Sequence, residues 1–179
     1  METFQLVPHP AHPPQAIRAM EAKVIGRDRS WLRLRWRLDG SGRINVPPFA
    51  GKGRADGLWR TTCFELFLQP LGGNAYCEFN MSPSERWNAY DFAGWREGMQ
   101  ERPMPREPEC TMRQGSSFAI FDVAIPVAGL PRAECAMSMT AVIEEEGGTL
   151  SYWAMGHGSD MPDFHAPACF GATLAAPAD

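Results

Sequence analysis

The stretch CFELFLQPLGGNAYCEFN, residues 63–80, predicts a β-hairpin whose register can be derived residue by residue. Two runs of strand-forming residues, 63–69 and 76–80, flank a connection rich in proline, glycine and asparagine. Successive strand residues point to opposite faces, and a slip of one residue would turn an apolar row outward. The register that puts both apolar sets on one face pairs Phe64 with Met81, Leu66 with Phe79 and Leu68 with Cys77.

The same register determines what lies on the opposite face of the hairpin. It pairs Glu65 with Asn80 and Phe67 with Glu78, and it places Gln69 and Tyr76 beside them. Such a face suits a sugar, because aromatic rings stack on its apolar side while carboxylates and amides bind its hydroxyls. The residues leave two interpretations open. This face is either the floor of a binding site or a solvated sheet face whose acids are balanced by the arginines of a neighbouring strand.

Alternation of apolar and polar residues elsewhere predicts an all-β fold. Short runs broken by Gly, Pro, Asn and Asp recur about every 10 to 15 residues, as in sandwiches and barrels. The clearest run, WLRLRWRL at 31–38, turns its leucines and Trp36 inward and three arginines outward. The predicted strands cover residues 3–7, 17–25, 31–38, 63–69, 76–80, 87–92, 118–125, 135–143 and 150–155, with a short further run at 44–46.

We therefore predict an antiparallel two-sheet β-sandwich, jelly-roll-like, formed by residues 1–179 as a single domain. Residues 99–109 contain three prolines and are predicted as loop. The expected core contains Leu34, Trp36, Phe64, Leu66, Leu68, Phe79, Phe121 and Val123.

The composition argues against several classes of partner. A net charge of −4 does not favour binding to nucleic acid or to an anionic membrane. No run approaches the roughly 20 apolar residues that a membrane span requires. The opening residues METFQLVPHPAHPP lack the basic end and apolar run of a secretory signal, so we expect a cytoplasmic protein.

The cysteines and histidines predict neither a metal site nor a cofactor. Five cysteines are an odd number without C-x-x-C spacing, which favours reduced thiols used for packing. His157 and His165 flank two aspartates, but the spacing matches no common set of metal ligands. We expect the protein to carry no metal and no cofactor.

Three segments resemble a known family: LWRTTCFELFL at 58–68, YCEFNMSPSERWNAYDFAGWREGM at 76–99 and YWAMGHGSDMPDFHAPACF at 152–170. They are similar to bacterial DOMON-like proteins, which belong to the same β-sandwich superfamily as the family 9 carbohydrate-binding modules. The resemblance implies ligand binding, to sugars in the modules and to haem or sugars in the wider DOMON group.

The resemblance also implies site residues. The sugar modules hold a terminal sugar between two tryptophans, with a strand Glu and a strand Asn near its hydroxyls. Trp59, Glu65 and Asn80 match these positions, and Trp153 is the candidate for the second ring. The sequence departs from the modules at two points. Arg60-Thr61-Thr62 stands where an acidic residue commonly follows the first Trp, and Cys77 or Glu78 replaces a basic residue.

We predict a non-catalytic small-molecule binding domain for a carbohydrate or glycoconjugate. Its pocket would contain Trp59, Glu65, Glu78, Asn80 and Trp153. One alternative is a glycoside-acting enzyme, because Glu65 and Glu78 supply the two carboxylates that glycoside hydrolysis requires. Another alternative is a haem-binding domain of the DOMON type, with Met155, Met161, His157 and His165 as residues of the right ligand types.

Overall fold

Thirteen strands build the part of the chain that the computed structural model describes, residues 2–177. In chain order they are β1 (Thr3–Pro8), β2 (Ala19–Arg27), β3 (Trp31–Asp39), β4 (Gly53–Arg54), β5 (Cys63–Pro70), β6 (Tyr76–Met81), β7 (Arg86–Phe92), β8 (Gln100–Glu101), β9 (Glu109–Gln114), β10 (Phe118–Pro126), β11 (Cys135–Glu145), β12 (Thr149–Ala154) and β13 (Ala172–Leu174). Single-turn 3-10 helices lie at Ser41–Arg43, Leu58–Arg60, Val127–Gly129 and Pro167–Cys169. No helix within residues 2–177 is long and apolar enough to cross a membrane.

The strands form one hydrogen-bonded path, in the order β4-β7-β6-β5-β11-β12-β1-β2-β3-β10-β9. Strand β13 adds to β11, and β8 adds to β7. Neighbouring strands are antiparallel apart from β4 and β7, which run parallel. The protein is therefore all-β as expected, but its sheet is mixed instead of purely antiparallel. Parallel neighbours need a crossover connection, and here the chain leaves β4, forms β5 and β6, and then returns as β7 beside β4.

The sheet curls so that its two halves face each other. Strand β1 joins the halves, because its first residues pair with β2 and its last residues pair with β12. Phe64 of β5 stacks on Phe121 of β10 with 4.2 Å between ring centroids, and it lies 5.6 Å from Trp36 of β3. These contacts join residues from the two halves of the strand path, and the main apolar core lies between the halves.

The sequence-based predictions for the core and the hairpin are confirmed. All eight residues expected in the core are buried in the main apolar cluster. Strands β5 and β6 pair Glu65 with Asn80, Leu66 with Phe79 and Phe67 with Glu78, which is the predicted register.

The outward arginines of β3 do not balance the acids of the hairpin. Arg35 forms an ion pair with Asp122 of β10, at 2.6 Å, within the other half of the sheet. The sequence analysis also missed β9, where only Cys110 and Met112 alternate with polar residues and most side chains are exposed. The run at 44–46 forms a single bridge, from Ile44 to Glu145, instead of a strand.

Candidate ligand-binding site

A row of polar side chains crosses four adjacent strands on the face of the sheet that points away from the main core. Thr140 of β11 pairs with Glu65 of β5, Glu65 pairs with Asn80 of β6, and Asn80 pairs with Asn88 of β7. All four side chains are buried, and so is Glu78 in the next row. This face is therefore not the solvated surface that one interpretation of the sequence required.

A second apolar layer covers this face and explains the burial. Its members come from the outer face of the sheet and from the segment that follows β12. Tyr76 and Phe92 stack with ring centroids 4.9 Å apart, and Phe164 and Cys169 pack from the covering segment. The polar row is thus enclosed between the sheet and a layer of loops.

A cavity of about 560 Å³ lies between the sheet and this covering layer. Glu65 and Glu78 contribute carboxyl groups to its lining. Trp59, Phe92 and Tyr152 contribute aromatic rings. Pockets of about 300–1,000 Å³ with apolar walls and a few polar groups are typical of small-molecule sites.

Trp59 lies where the cavity meets the surface. It belongs to the 3-10 turn Leu58–Arg60, which begins after Gly57 at a φ of 71°. The left-handed conformation at that position favours glycine, because a side chain there is strained. Trp59 is 39% exposed, so its ring is accessible to a ligand that enters from solvent.

The two cavity carboxyls have perturbed acidities. Burial raises the pKa of Glu78 to about 7, and the nearby Asn80 amide and Arg96 guanidinium oppose this rise only in part. Burial also raises the pKa of Glu65 well above its usual range, and the neighbouring Glu78 raises it further. Thr140 donates a hydrogen bond of 3.3 Å from its hydroxyl to Glu65 Oε2. Both carboxyls therefore keep protons more readily than solvated glutamates do.

A chain of hydrogen bonds orients His165 toward Glu78. The backbone N–H of Arg96 donates to the Tyr76 hydroxyl oxygen at 3.0 Å, and the hydroxyl lies 2.6 Å from His165 Nδ1. Burial, followed by the charge of Arg96, lowers the pKa of His165 to about 4. The imidazole is then neutral near pH 7, accepts from Tyr76 at Nδ1 and carries its proton on Nε2. Nε2 lies 3.7 Å from Glu78 Oε2.

Hydrogen bonds to Asp163 link the loop after β7 to the segment after β12. Its carboxylate accepts hydrogen bonds from Arg96 Nη2 at 2.8 Å, from Trp95 Nε1 at 3.1 Å and from the His165 backbone N–H at 3.0 Å. Arg96 has a φ of 55°, a conformation that costs a non-glycine residue about 1–3 kcal/mol. Surrounding contacts hold this strained residue at the cavity wall.

Asn80 is buried beside the cavity floor, and its amide is close enough to Glu78 to lower the pKa of that carboxyl but makes no hydrogen bond of normal geometry among residues 2–177. Neither its amide nitrogen nor its amide oxygen has a hydrogen-bond partner among residues 2–177. The next residue in the row behaves differently, because Asn88 donates to Asp56 at 3.0 Å and accepts from Arg54 at 2.7 Å. A buried amide without partners costs about 1–3 kcal/mol, and groups of this kind mark places where a ligand or water completes the bonding.

Trp153 does not form the second wall that the sequence suggested. It is 2% exposed, packs in the main core and donates from Nε1 to Ser151 Oγ at 2.9 Å. Strand alternation points the adjacent Tyr152 to the other face, where it lines the cavity. Of the five predicted residues, Trp59, Glu65 and Glu78 line the cavity, Asn80 lies on the same face beside them, and Trp153 lies on the opposite face.

Several lining residues were not among those predicted from the sequence. His165, Arg96 and Phe164 come from loops, whose side-chain directions no periodicity fixes. Phe92 could have been inferred, because it pairs with Tyr76 across the strands that also carry Glu78 and Asn80.

The remaining histidines lie on another part of the fold. His157 Nε2 bonds to the Val7 carbonyl at 2.9 Å, and His9 Nε2 bonds to the Ser159 carbonyl at 2.9 Å. Among the residues that the structure describes, no group of three or more His, Cys, Asp or Glu side chains is arranged to hold a metal ion.

Comparisons with known proteins bear on the fold. The chain matches no protein-family model and no curated protein. A solved structure of a candidate carbohydrate-binding protein from Bacteroides uniformis matches with a TM-score of 0.65 at 18% identity, over 97% of this chain and 85% of that one. A family 9 carbohydrate-binding module from Caldicellulosiruptor kristjanssonii, solved with glucose, matches with a TM-score of 0.48 at 8% identity, over 84% of this chain and 73% of that one. The first likeness supports a β-sandwich-like fold, and the second is too distant to carry an argument.

Proposed function

We propose that the protein is a non-catalytic domain that binds a carbohydrate or a glycoconjugate in the cavity between the sheet and its covering loops. One observation carries this proposal: the cavity joins an accessible Trp59 ring to the buried carboxyl groups of Glu65 and Glu78, with the Asn80 amide beside them on the same face. An aromatic ring can stack on the apolar face of a pyranose, and the floor can bind hydroxyls that a purely apolar pocket would reject.

The unpaired amide of Asn80 adds a thermodynamic argument. Its nitrogen donates and its oxygen accepts, so a hydroxyl group, which does both, can satisfy either atom. A ligand or water that makes these bonds removes the cost of the unpaired amide. Vicinal hydroxyls of a sugar ring are a chemical group with this double capacity.

The proposal extends to family, architecture and location. We place the chain among the DOMON-like proteins, as one jelly-roll-like sandwich domain over residues 1–179 that acts in the cytoplasm. A candidate carbohydrate-binding protein from Bacteroides uniformis has a similar fold, which agrees with a sugar ligand.

Replacing Trp59 by alanine tests the proposal. Stacking on an aromatic ring is worth about 1 kcal/mol beyond area burial, so Trp59→Ala should weaken sugar binding by about fivefold to tenfold. A glycan array would select ligands, and NMR titration into the millimolar range would measure their affinities. In the unmodified protein the Trp59 indole resonance should shift on titration.

The matched control is Phe49→Ala. Phe49 is an exposed aromatic residue, 73% accessible, that does not line the cavity, so its loss should leave the affinity unchanged. If no glycan shifts the Trp59 indole resonance, the proposal is wrong.

Glycoside hydrolysis is a second candidate, favoured by the acidities of the cavity carboxyls. A glutamic acid with a pKa of about 7 can act as a general acid near neutral pH, and a second carboxyl lies on the same face. Incubation with a panel of aryl glycosides distinguishes the two functions. Turnover that Glu65→Gln abolishes would replace the binding-only proposal by an enzymatic one.

A further inference from the structure

We propose that the ligand of this cavity carries a protonated amine, which binds against the carboxyl groups of Glu65 and Glu78. The inference rests on the proposed function and narrows the ligand to an amino sugar. Three observations support it. They concern the ion-pair partners of the two carboxyls, the hydrogen bonds of the neighbouring amide and hydroxyl groups, and the distribution of charge around the cavity.

The two cavity carboxyls lack the basic partners that other acids of the protein have. Asp91, Asp122 and Asp163 each form an ion pair with an arginine. Among the described residues, neither Glu65 nor Glu78 forms an ion pair with an arginine or lysine. Without a counter-ion, burial favours the protonated form of both carboxyls, and a cation bound against them would supply the missing partner and favour the ionised form.

Two neutral groups on the same face also lack partners. Asn80 lies directly across from Glu65, and the hydroxyl of Ser138 on β11 is buried next to the row. Neither the amide atoms of Asn80 nor Ser138 Oγ has a partner within residues 2–177. An ammonium group has three N–H donors, and carboxyl, amide and hydroxyl oxygens are its natural acceptors.

Among the described residues, the arginines near the cavity form no ion pair with Glu65 or Glu78. Arg96 is bound by Asp163, and Arg60 is an exposed lining residue near the mouth. His165 is held neutral by burial. The other titratable groups that face the carboxyls are Cys63, Tyr76 and Tyr90, the last of which donates to Asp56 at 2.6 Å. Apart from Arg96, whose charge partly offsets the raised pKa values of Glu65 and Glu78, none of these groups supplies a positive charge to the floor near neutral pH.

The aromatic walls reinforce the selection of a cation. The face of an aromatic ring attracts a positive charge, and the attraction is stronger where water is excluded. Trp59 and Phe92 both line the cavity that contains the two carboxyls. A neutral sugar gains stacking from these rings, whereas a sugar with an ammonium group gains stacking and electrostatic attraction.

Proton exchange gives the inference a distinct signature. Glu78 must lose its proton to pair with an ammonium group, and its pKa is about 7. An amine beside electron-withdrawing groups, like an α-amino group, has a pKa of about 7.7–8.0, so the ligand is mostly protonated at pH 7 and below. Binding should therefore weaken by about tenfold when the pH falls from 7.0 to 5.5.

The test compares four probes at both pH values by NMR titration: glucosamine, glucose, N-acetylglucosamine and glucuronic acid. We expect glucosamine to bind at least tenfold tighter than the other three at pH 7.0 and to lose about tenfold at pH 5.5. Glu78→Gln should remove the preference for glucosamine while glucose still binds. Glu97→Gln, which changes the same charge at an exposed position, should leave the preference unchanged.

The outcomes separate this inference from the function on which it rests. Equal binding of glucose and glucosamine would overturn the amine inference and leave the carbohydrate proposal intact. Tightest binding of glucuronic acid would overturn it as well, because the arginines would then select the ligand. Absence of binding by all four probes, together with a negative glycan array, would overturn both.

Discussion

At the scale of the residue, Glu78 couples protonation to folding. Its carboxyl has a pKa of about 7 in the folded protein and an ordinary value of 4.5. Between these two pH values the folded state holds a proton that the unfolded state has lost, so the free energy of unfolding falls as pH rises. Glu78→Gln removes this dependence. Relative to the unmodified protein, the variant should gain about 1–3 kcal/mol of stability between pH 4.5 and 7.5, measured by urea unfolding.

His165 makes the opposite contribution to the pH dependence of stability. This contribution cancels when the variant is compared with the unmodified protein. Burial lowers its pKa to about 4, so its contribution makes stability rise between that pH and its ordinary value of 6.5. The same histidine is present in both proteins. A stability difference between them that stays constant across the pH range would show that Glu78 does not titrate as described.

At the scale of the element, the carboxylate of Glu145 links the end of β11 to the segment before β2 through hydrogen bonds. Its oxygens accept hydrogen bonds from the backbone N–H groups of Gln15 at 2.7 Å, Ala16 at 2.5 Å and Ile17 at 3.2 Å. Glu145→Gln leaves one oxygen to accept and turns an amide N–H₂ group toward the donors. We expect a loss of about 1–3 kcal/mol in the free energy of unfolding, measured by urea titration.

The adjacent glutamate supplies the control. Glu146 is exposed and contacts Arg43 at 3.4 Å, with both side chains more than half accessible. Glu146→Gln should therefore change stability by less than about 0.5 kcal/mol. Similar losses for the two variants would contradict the structural role of Glu145.

The elements also differ in how far the sequence predicts them. The β5–β6 hairpin was predictable to the residue, because alternation and turn composition allow one register. The segment after β12 was not, since its contacts with the outer face are tertiary and leave no periodic pattern. Alternation puts Tyr152 and Trp153 on opposite faces, but two adjacent aromatic residues give no sign of which one faces the core. The cavity floor was thus predictable and its cover was not.

At the scale of the whole molecule, Phe64 joins the two halves of the curled sheet. It is fully buried and contacts rings from β3 and β10 across the core. Phe64→Ala removes the ring from a close-packed interior and leaves a void. The loss should be about 3–5 kcal/mol in urea unfolding.

Phe118 provides the matched control for this change. It is 41% exposed at the start of β10, and the Arg37 guanidinium carbon lies 4.2 Å from its ring centroid. Phe118→Ala should cost about 1 kcal/mol or less. Equal losses at both positions would argue against a core shared by the two halves.

The cavity walls come from parts of the chain that are far apart in sequence: the 3-10 turn at Leu58–Arg60, the loop after β7, strand β12 and the segment that follows it. The cavity exists only where these parts pack together, so a ligand that fills it binds the folded arrangement and not the unfolded chain. Such a ligand stabilises the folded state by about 2.7 kcal/mol at a concentration of 100 times its Kd. The natural ligand can therefore be identified without labels, whatever its chemistry, by fractionating a cell extract and following which fractions raise the melting temperature.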